Sequence, residues 1–312
     1  MSQLLTKKYL YGKFKKNNLG KISLNNEALE LLQKLADFLS AKFYSPRTVR
    51  NYMAEMRYLF GYYNDVSPYS LVQADIVKYI NYIKTEHQVG RDKCRMVAQT
   101  CSFFYKNILP TPYVVPNALY PRKEFRLPDI LSEEQIIHLY GSITNPKHKA
   151  IIGLFYGTGL RLSELRFLKM TEIDSKNFQI KVIAGKGNKD RFTILPKAIL
   201  EDLRAHYKRE RPKVYLFEGQ KPGVAMNDRS IQHAIRQCMK NAGLGQYNFS
   251  AHSLRHSFAT HLLDQGNDIH TIKVLLGHSK IETTMIYLHL QKKKRATLIS
   301  PLDALLDQPC QP

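Results

Sequence analysis

The sequence predicts a mainly α chain with a small β-sheet (α+β), in which a four-helix bundle is followed by a mixed α/β domain. Three observations predict it. Apolar residues recur with helical spacing from about residue 27 to 110, five prolines crowd residues 109–130, and one β-branched hairpin pattern at 178–195 lies among further helical segments. With 312 residues, the chain is long enough for two domains with separate cores.

The elements follow in order. Residues 1–22 are lysine-rich, with KKYLYGKFKK at 7–16, and read as a basic arm. Helical patterns then span 27–43, 45–63, 70–87 and 94–108, and Ser45-Pro46 is a helix start with an N-cap followed by proline. Four short helices over 23–110 make a small bundle. Pro110, Pro112, Pro116, Pro121 and Pro128 forbid a continuous helix, so 111–130 reads as an extended linker with the domain boundary near 125. Ser132 with Gln135 forms a capping box that restarts helix.

In the second domain, 131–290, residues 148–170 read as two helices broken at Gly157-Thr158-Gly159. Residues 178–195 read as two strands joined by a Gly-Lys-Gly-Asn-Lys turn, and VYLF at 214–217 is a candidate third strand. From about 224 to 290 the pattern is helical, and 291–312 is a tail whose SPLDALL carries a short apolar helix, Leu302 to Leu306.

Composition narrows the function. The 47 basic and 26 acidic residues leave +21, and the excess is spread: 20 basic and 10 acidic over 1–130, 27 and 16 over 131–312. Two basic lobes suit an extended polyanion, nucleic acid above all. A membrane surface fits less well, since no basic amphipathic helix with aromatic anchors and no apolar span is evident. Cys94, Cys101, Cys238 and Cys310 show no CxxC spacing, which suits a reducing compartment and neither a disulfide framework nor a zinc site. A soluble, cytoplasmic protein is expected.

Five features could carry chemistry: Arg161 with Glu164 in GTGLRLSEL, Lys186 in GKGNKDR, His252 and Arg255 in HSLRH, His278 in LLGHSKIETT, and Tyr287 in TTMIYLHL. Singly each has a structural explanation. Arg161 could satisfy a helix start, Lys186 a solvated turn, LLGH a glycine-capped helix end and Tyr287 a core position. Together they meet the needs of phosphodiester cleavage without a metal: a nucleophile, cationic forks for the phosphate, and proton donors. Helical spacing puts His252 and Arg255 on one face, with Leu254, Phe258 and Leu262 anchoring the helix in the core. His256 and His261 are read as packing or capping residues.

This order of motifs resembles the tyrosine recombinase (phage integrase) family from the helical N-terminal segment to the tyrosine. The resemblance makes Arg161 and Arg255 the catalytic arginines, Lys186 the β-hairpin lysine and His252 the first histidine. His278 takes the position shared between His and Trp, Tyr287 is the nucleophile and Glu164 the acidic buttress. It implies an N-terminal core-binding (SAM-like) domain and a catalytic domain closing on double-stranded DNA as a C-shaped clamp. It further implies cleavage through a 3′-phosphotyrosine and a Holliday junction, without metal, ATP or cofactor. A homotetramer on synapsed DNA is implied, monomeric or dimeric when free, with room for an accessory DNA-bending protein and a nucleoid-associated location in a bacterium. The tail would dock in trans. Its SPLDALL, with TTMIYLH, resembles integron integrases, yet only 65 residues separate Lys186 from His252, so their characteristic insertion is absent. Integration or excision of a mobile element is the favoured role, with Xer-type chromosome dimer resolution next. Rival readings are a type IB topoisomerase and a non-cutting DNA-binding regulator.

Overall fold

The computed structural model describes residues 22–109, 127–183 and 190–290. The chain divides into two compact units, Met1–Glu124 and Phe125–Pro312. Of the expected features, the basic arm, the linker from 110 to 126, Lys186 with its turn, and the tail from 291 lie outside the described residues.

In the first unit, α1 (Asn26–Ala41), α2 (Pro46–Tyr62), α3 (Gln73–His87) and α4 (Arg91–Asn107) form the bundle. Their starts follow from local chemistry. The Asn25 side chain accepts from the Ala28 N–H at 2.8 Å, and Ser45 Oγ accepts from the Thr48 N–H at 3.1 Å with Pro46 in the first turn. The apolar stripes meet in one core that includes Leu35, Leu39, Met56, Leu59, Phe60, Tyr79, Ile83, Val97 and Phe104. Each such side chain contributes on the order of 2 kcal/mol of burial. Cys94 and Cys101 are buried on α4, as small apolar side chains.

The second unit opens with α5 (Glu133–Gly141), whose capping box is present: the Ser132 N–H donates to Gln135 Oε1 and the Gln135 N–H to Ser132 Oγ. Helix α6 (Pro146–Thr158) is apolar almost all round and runs through the core, packed against α8 (Leu200–Glu210), α9 (Asp228–Asn241) and α10 (Ala251–Asp264). The helical break falls at Gly159–Arg161, meeting the expected Gly157-Thr158-Gly159 at Gly159, before the short α7 (Leu162–Arg166).

The sheet is antiparallel with order β1-β2-β3: Ile173–Asp174, Gln179–Val182 and Arg191–Ile194. VYLF does not supply its third strand. Leu216 and Phe217 are buried as core residues, and only an isolated bridge joins Tyr215 to Lys169; the third strand is β1. Helix α8, which carries few apolar residues beyond Leu203, was not expected from the pattern. Two last helices, α11 (Ile269–Leu276) and α12 (Glu282–Leu290), pack on α10 around Phe258, Ala259, Leu263, Ile272, Leu276 and Tyr287. No helix among the described residues is long and apolar enough to cross a membrane.

Candidate active site

The site forms where the ends of α6 and α11 meet α10, α12 and β3. Both helix ends are closed by a glycine in the left-handed region, Gly159 and Gly277, each with φ +64°. That conformation leaves the last carbonyls of each helix turned outward as acceptors, where the helix dipole favours a cation.

Arginines take those carbonyls. Arg255, on α10 and 3 % exposed, donates from Nη1 to the Gly159 carbonyl at 2.5 Å and from Nη2 to the Leu276 carbonyl at 2.7 Å. Arg161, at the N-cap of α7, donates from Nη2 to the Gly277 carbonyl at 3.0 Å. Burial and then the charge of Arg161 bring Arg255 down to about 10, opposed by Glu164, so it remains a cation at neutral pH.

Glu164 holds the arginines together. Its carboxylate accepts from the Arg161 N–H at 2.7 Å and from Arg161 Nη1 at 2.8 Å, and it lies 3.9 Å from Arg255 Nη1. A third arginine, Arg191 on β3, donates to both oxygens of Glu164 at 2.8 Å and from Nε to the Leu275 carbonyl. Burial alone would raise the Glu164 pKa, but the bonds from Arg191 and then Arg161 hold it at about 2.

The histidines are neutral. His278 Nε2 lies 3.0 Å from Arg255 Nη2, which can only donate, so Nε2 accepts; its Nδ1, 2.9 Å from Thr284 Oγ1, carries the proton. Burial, followed by the charges of Arg255 and Arg161, lowers His278 to about 3. His252 is exposed at the rim, and partial desolvation with the same two arginines holds it below the usual histidine range.

Tyr287 lies on α12, 1 % exposed, its ring parallel to that of His278 with centroids 6.4 Å apart. Burial pushes its phenol up to about 12 against the lowering pull of Arg255 and Arg161. Its hydroxyl is 3.0 Å from Nδ1 of His256.

Arg161, Glu164, His252, Arg255, His278 and Tyr287 therefore gather in one cluster, while Lys186 lies outside the described residues. Leu254 and Phe258 are buried as expected, and Leu262 is partly buried at the edge of the same cluster. Two residues were missed. Arg191 stands two residues beyond the hairpin turn, and nothing in the apolar pattern of RFTI marked it for burial. His256, expected to pack or cap, instead touches the tyrosine hydroxyl; its position four residues after His252, on the same helix face, was the available signal. His261 does pack, with Nδ1 3.0 Å from the Tyr156 hydroxyl.

Known proteins match the chain along most of its length. Residues 129–294 match the phage integrase family, and 31–114 match the phage integrase N-terminal SAM-like domain. A putative integrase/recombinase of Sinorhizobium fredii is 34% identical over 88% of this chain and 89% of its own length. The tyrosine recombinase XerA of Thermococcus kodakarensis is 30% identical over 89% and 99%. Among solved structures, XerH bound to its palindromic difH substrate superposes with a TM-score of 0.66 at 20% identity, covering 94% of each chain. The Tn1549 transposon integrase in complex with transposon right end DNA gives 0.68 at 17%, over 89% of this chain and 98% of its own. With a family match that spans more than half of its residues, and with close to its whole length shared with the curated relatives, the chain belongs to the phage integrase family of site-specific tyrosine recombinases.

Proposed function

We propose that this recombinase breaks and rejoins DNA by transesterification at Tyr287. The phenolic oxygen attacks the scissile phosphorus, leaving a 3′-phosphotyrosine and a free 5′-hydroxyl; a partner strand's 5′-hydroxyl then displaces the tyrosine through a Holliday junction. Because the phosphotyrosine conserves the bond energy, no external energy source enters the balance. Arg161 and Arg255 hold the non-bridging oxygens in forks fixed beforehand by Glu164 and the helix carbonyls, so little reorganisation is needed as charge grows. His252 hydrogen-bonds the phosphate, His278 steadies the Arg255 guanidinium by accepting from it at Nε2, and Lys186 protonates the departing 5′-oxygen. The observation that carries this reading is the convergence of two arginines and two histidines on one buried tyrosine. Domains at 23–110 and 131–290, joined by 111–130, would grip the duplex, and a homotetramer with the 291–312 tail docked in trans would synapse two sites.

The test uses DNA flanking the gene, nicked 3′ of candidate cleavage positions and incubated with the protein in EDTA. A slow-migrating covalent band on a denaturing gel, lost in Tyr287→Phe, is the expected result. Persistence of the band in Tyr287→Phe refutes the assignment of the nucleophile. For the biological role we favour integration and excision of a mobile element, in line with the integrase/recombinase relatives; the Xer relatives support chromosome dimer resolution as a second reading. Recombination between two non-identical element-end sites supports the first, and resolution of directly repeated copies of one site supports the second.

A further inference from the structure

Attack by a phenol requires somewhere for its proton to go, and the pocket restricts the choice. His278 has no lone pair to spare: Nε2 accepts from Arg255, and Nδ1 carries the hydrogen that it donates to Thr284. Glu164 is occupied by Arg161 and Arg191. His252 stands at the rim, its ring 6.5 Å from that of His256. His256 is different. Its Nδ1 sits 3.0 Å from the Tyr287 hydroxyl with ring centroids 5.6 Å apart, and no other hydrogen bond to that hydroxyl occurs among the described residues.

We propose that His256 is a catalytic residue: it takes the phenolic proton as Tyr287 attacks the phosphorus and returns it when the tyrosine leaves. This rests on the reading of Tyr287 as nucleophile. In the forward step the O–H bond of Tyr287 breaks, its electron pair forms the new O–P bond, and the proton passes to Nδ1, giving an imidazolium. The P–O5′ bond breaks with its electrons on the 5′-oxygen, which is protonated separately. In the rejoining step the 5′-hydroxyl attacks, the P–O(Tyr) bond breaks, and the imidazolium reprotonates the phenolic oxygen, so the enzyme ends as it began.

The free site is set up for this. His256 is drawn down to about 4 by burial, then by His252 and Arg255, so the ring is neutral at neutral pH, and in the tautomer with its hydrogen on Nε2 the phenol donates to Nδ1. Among the described residues, the groups facing it are His252 and Arg255 on its own helix, His278 from the turn before α12, and Tyr287 on α12. The only full positive charge among them is Arg255, so an imidazolium is disfavoured until a phosphodiester enters with its negative charge. A bound phosphate therefore strengthens the base that activates the nucleophile, which links chemistry to the presence of DNA.

The experiment measures single-turnover adduct formation from pH 5 to 9, on a nicked duplex from the flanking DNA at the position where the wild-type protein forms its band. His256→Phe keeps the ring and removes the acceptor; His256→Asn places an acceptor near Nδ1 without basicity. Loss of a general base is expected to slow His256→Phe about 100-fold at pH 7. The wild-type rate should rise with pH and level off, whereas both variants should keep rising in proportion to hydroxide. His256→Asn should recover thermal stability without recovering the plateau. DNA affinity should stay within threefold in both. A wild-type pH profile in both variants, whatever their rates, or a His256→Phe rate within threefold of wild type, overturns the proposal. An adduct that survives Tyr287→Phe overturns instead the reading on which it rests, so the two failures are distinct.

Discussion

At Glu164 two oxygens meet hydrogen-bond donors from Arg161 and Arg191, with Arg255 3.9 Å away, in a position where the carboxylate is only 5% exposed. Removing that charge leaves buried guanidinium groups uncompensated, which costs about 3–5 kcal/mol. Glu164→Gln keeps the shape and loses the charge, so urea denaturation at pH 7 should show a loss of that order together with slower adduct formation. The pH dependence has a definite sign. The folded pKa, about 2, lies below the unfolded value near 4.5, so the stabilisation is complete above pH 4.5 and disappears as pH falls through 2. The shift corresponds to roughly 3 kcal/mol. The gap between wild type and Glu164→Gln should therefore narrow between pH 4.5 and 2; a gap constant over that range would show that Glu164 acts through shape and not charge.

Among the elements, the C-terminal ends of α6 and α11 set the arginines. The carbonyls of Gly159, Leu276 and Gly277 all accept from them, and the left-handed glycines at 159 and 277 make those carbonyls available. At Gly277 an added Cβ would also lie 2.8 Å from Arg191 Cδ, whereas at Gly243, φ +69°, it would meet nothing within 4 Å. Gly243→Ala is thus a control that costs only the backbone strain, about 1 kcal/mol. Gly277→Ala should lower the melting temperature further and slow adduct formation at least tenfold, by displacing Arg191 from Glu164; equal effects in the two variants would deny the close packing any role. These helix ends were legible in the sequence, because LLGH and TGLR carry glycine where a helix must stop, and so were the arginines, His278 and Tyr287 within short motifs. Arg191 was not. In β3 the usual pattern is inverted, with Arg191 and Thr193 buried and Phe192 and Ile194 exposed, so periodicity points the wrong way. His256 was obscured because its partner is 31 residues distant, a separation that local helical spacing does not reach. VYLF misled for another reason: a short apolar run fits a buried loop as well as a strand.

At the scale of the whole molecule the two units have separate cores and nearly equal charge. Met1–Glu124 holds 19 basic and 9 acidic side chains and Phe125–Pro312 holds 28 and 17, a net +10 and +11. The core around Leu35 and Phe60 shares no residue with the core around Phe155 and Leu254, so a fragment comprising 125–312 should fold alone with its own cooperative transition. Charge then decides how the units share DNA. Each phosphate neutralised steepens the dependence of log K on log salt by about 0.9, so a chain that places both basic units on the duplex should show a slope of roughly −6 or steeper. The 125–312 fragment keeps the arginine pocket but about half the excess charge, and its slope should fall to about half. Fluorescence anisotropy on one labelled duplex between 50 and 300 mM salt measures both. A fragment slope equal to that of the whole chain would mean that the first unit contributes no phosphate contacts and that its positive charge serves another purpose. A halved slope would assign affinity to both units and leave the chemistry to one, as expected when the scissile phosphate must be held in the pocket long enough for a buried tyrosine to reach it.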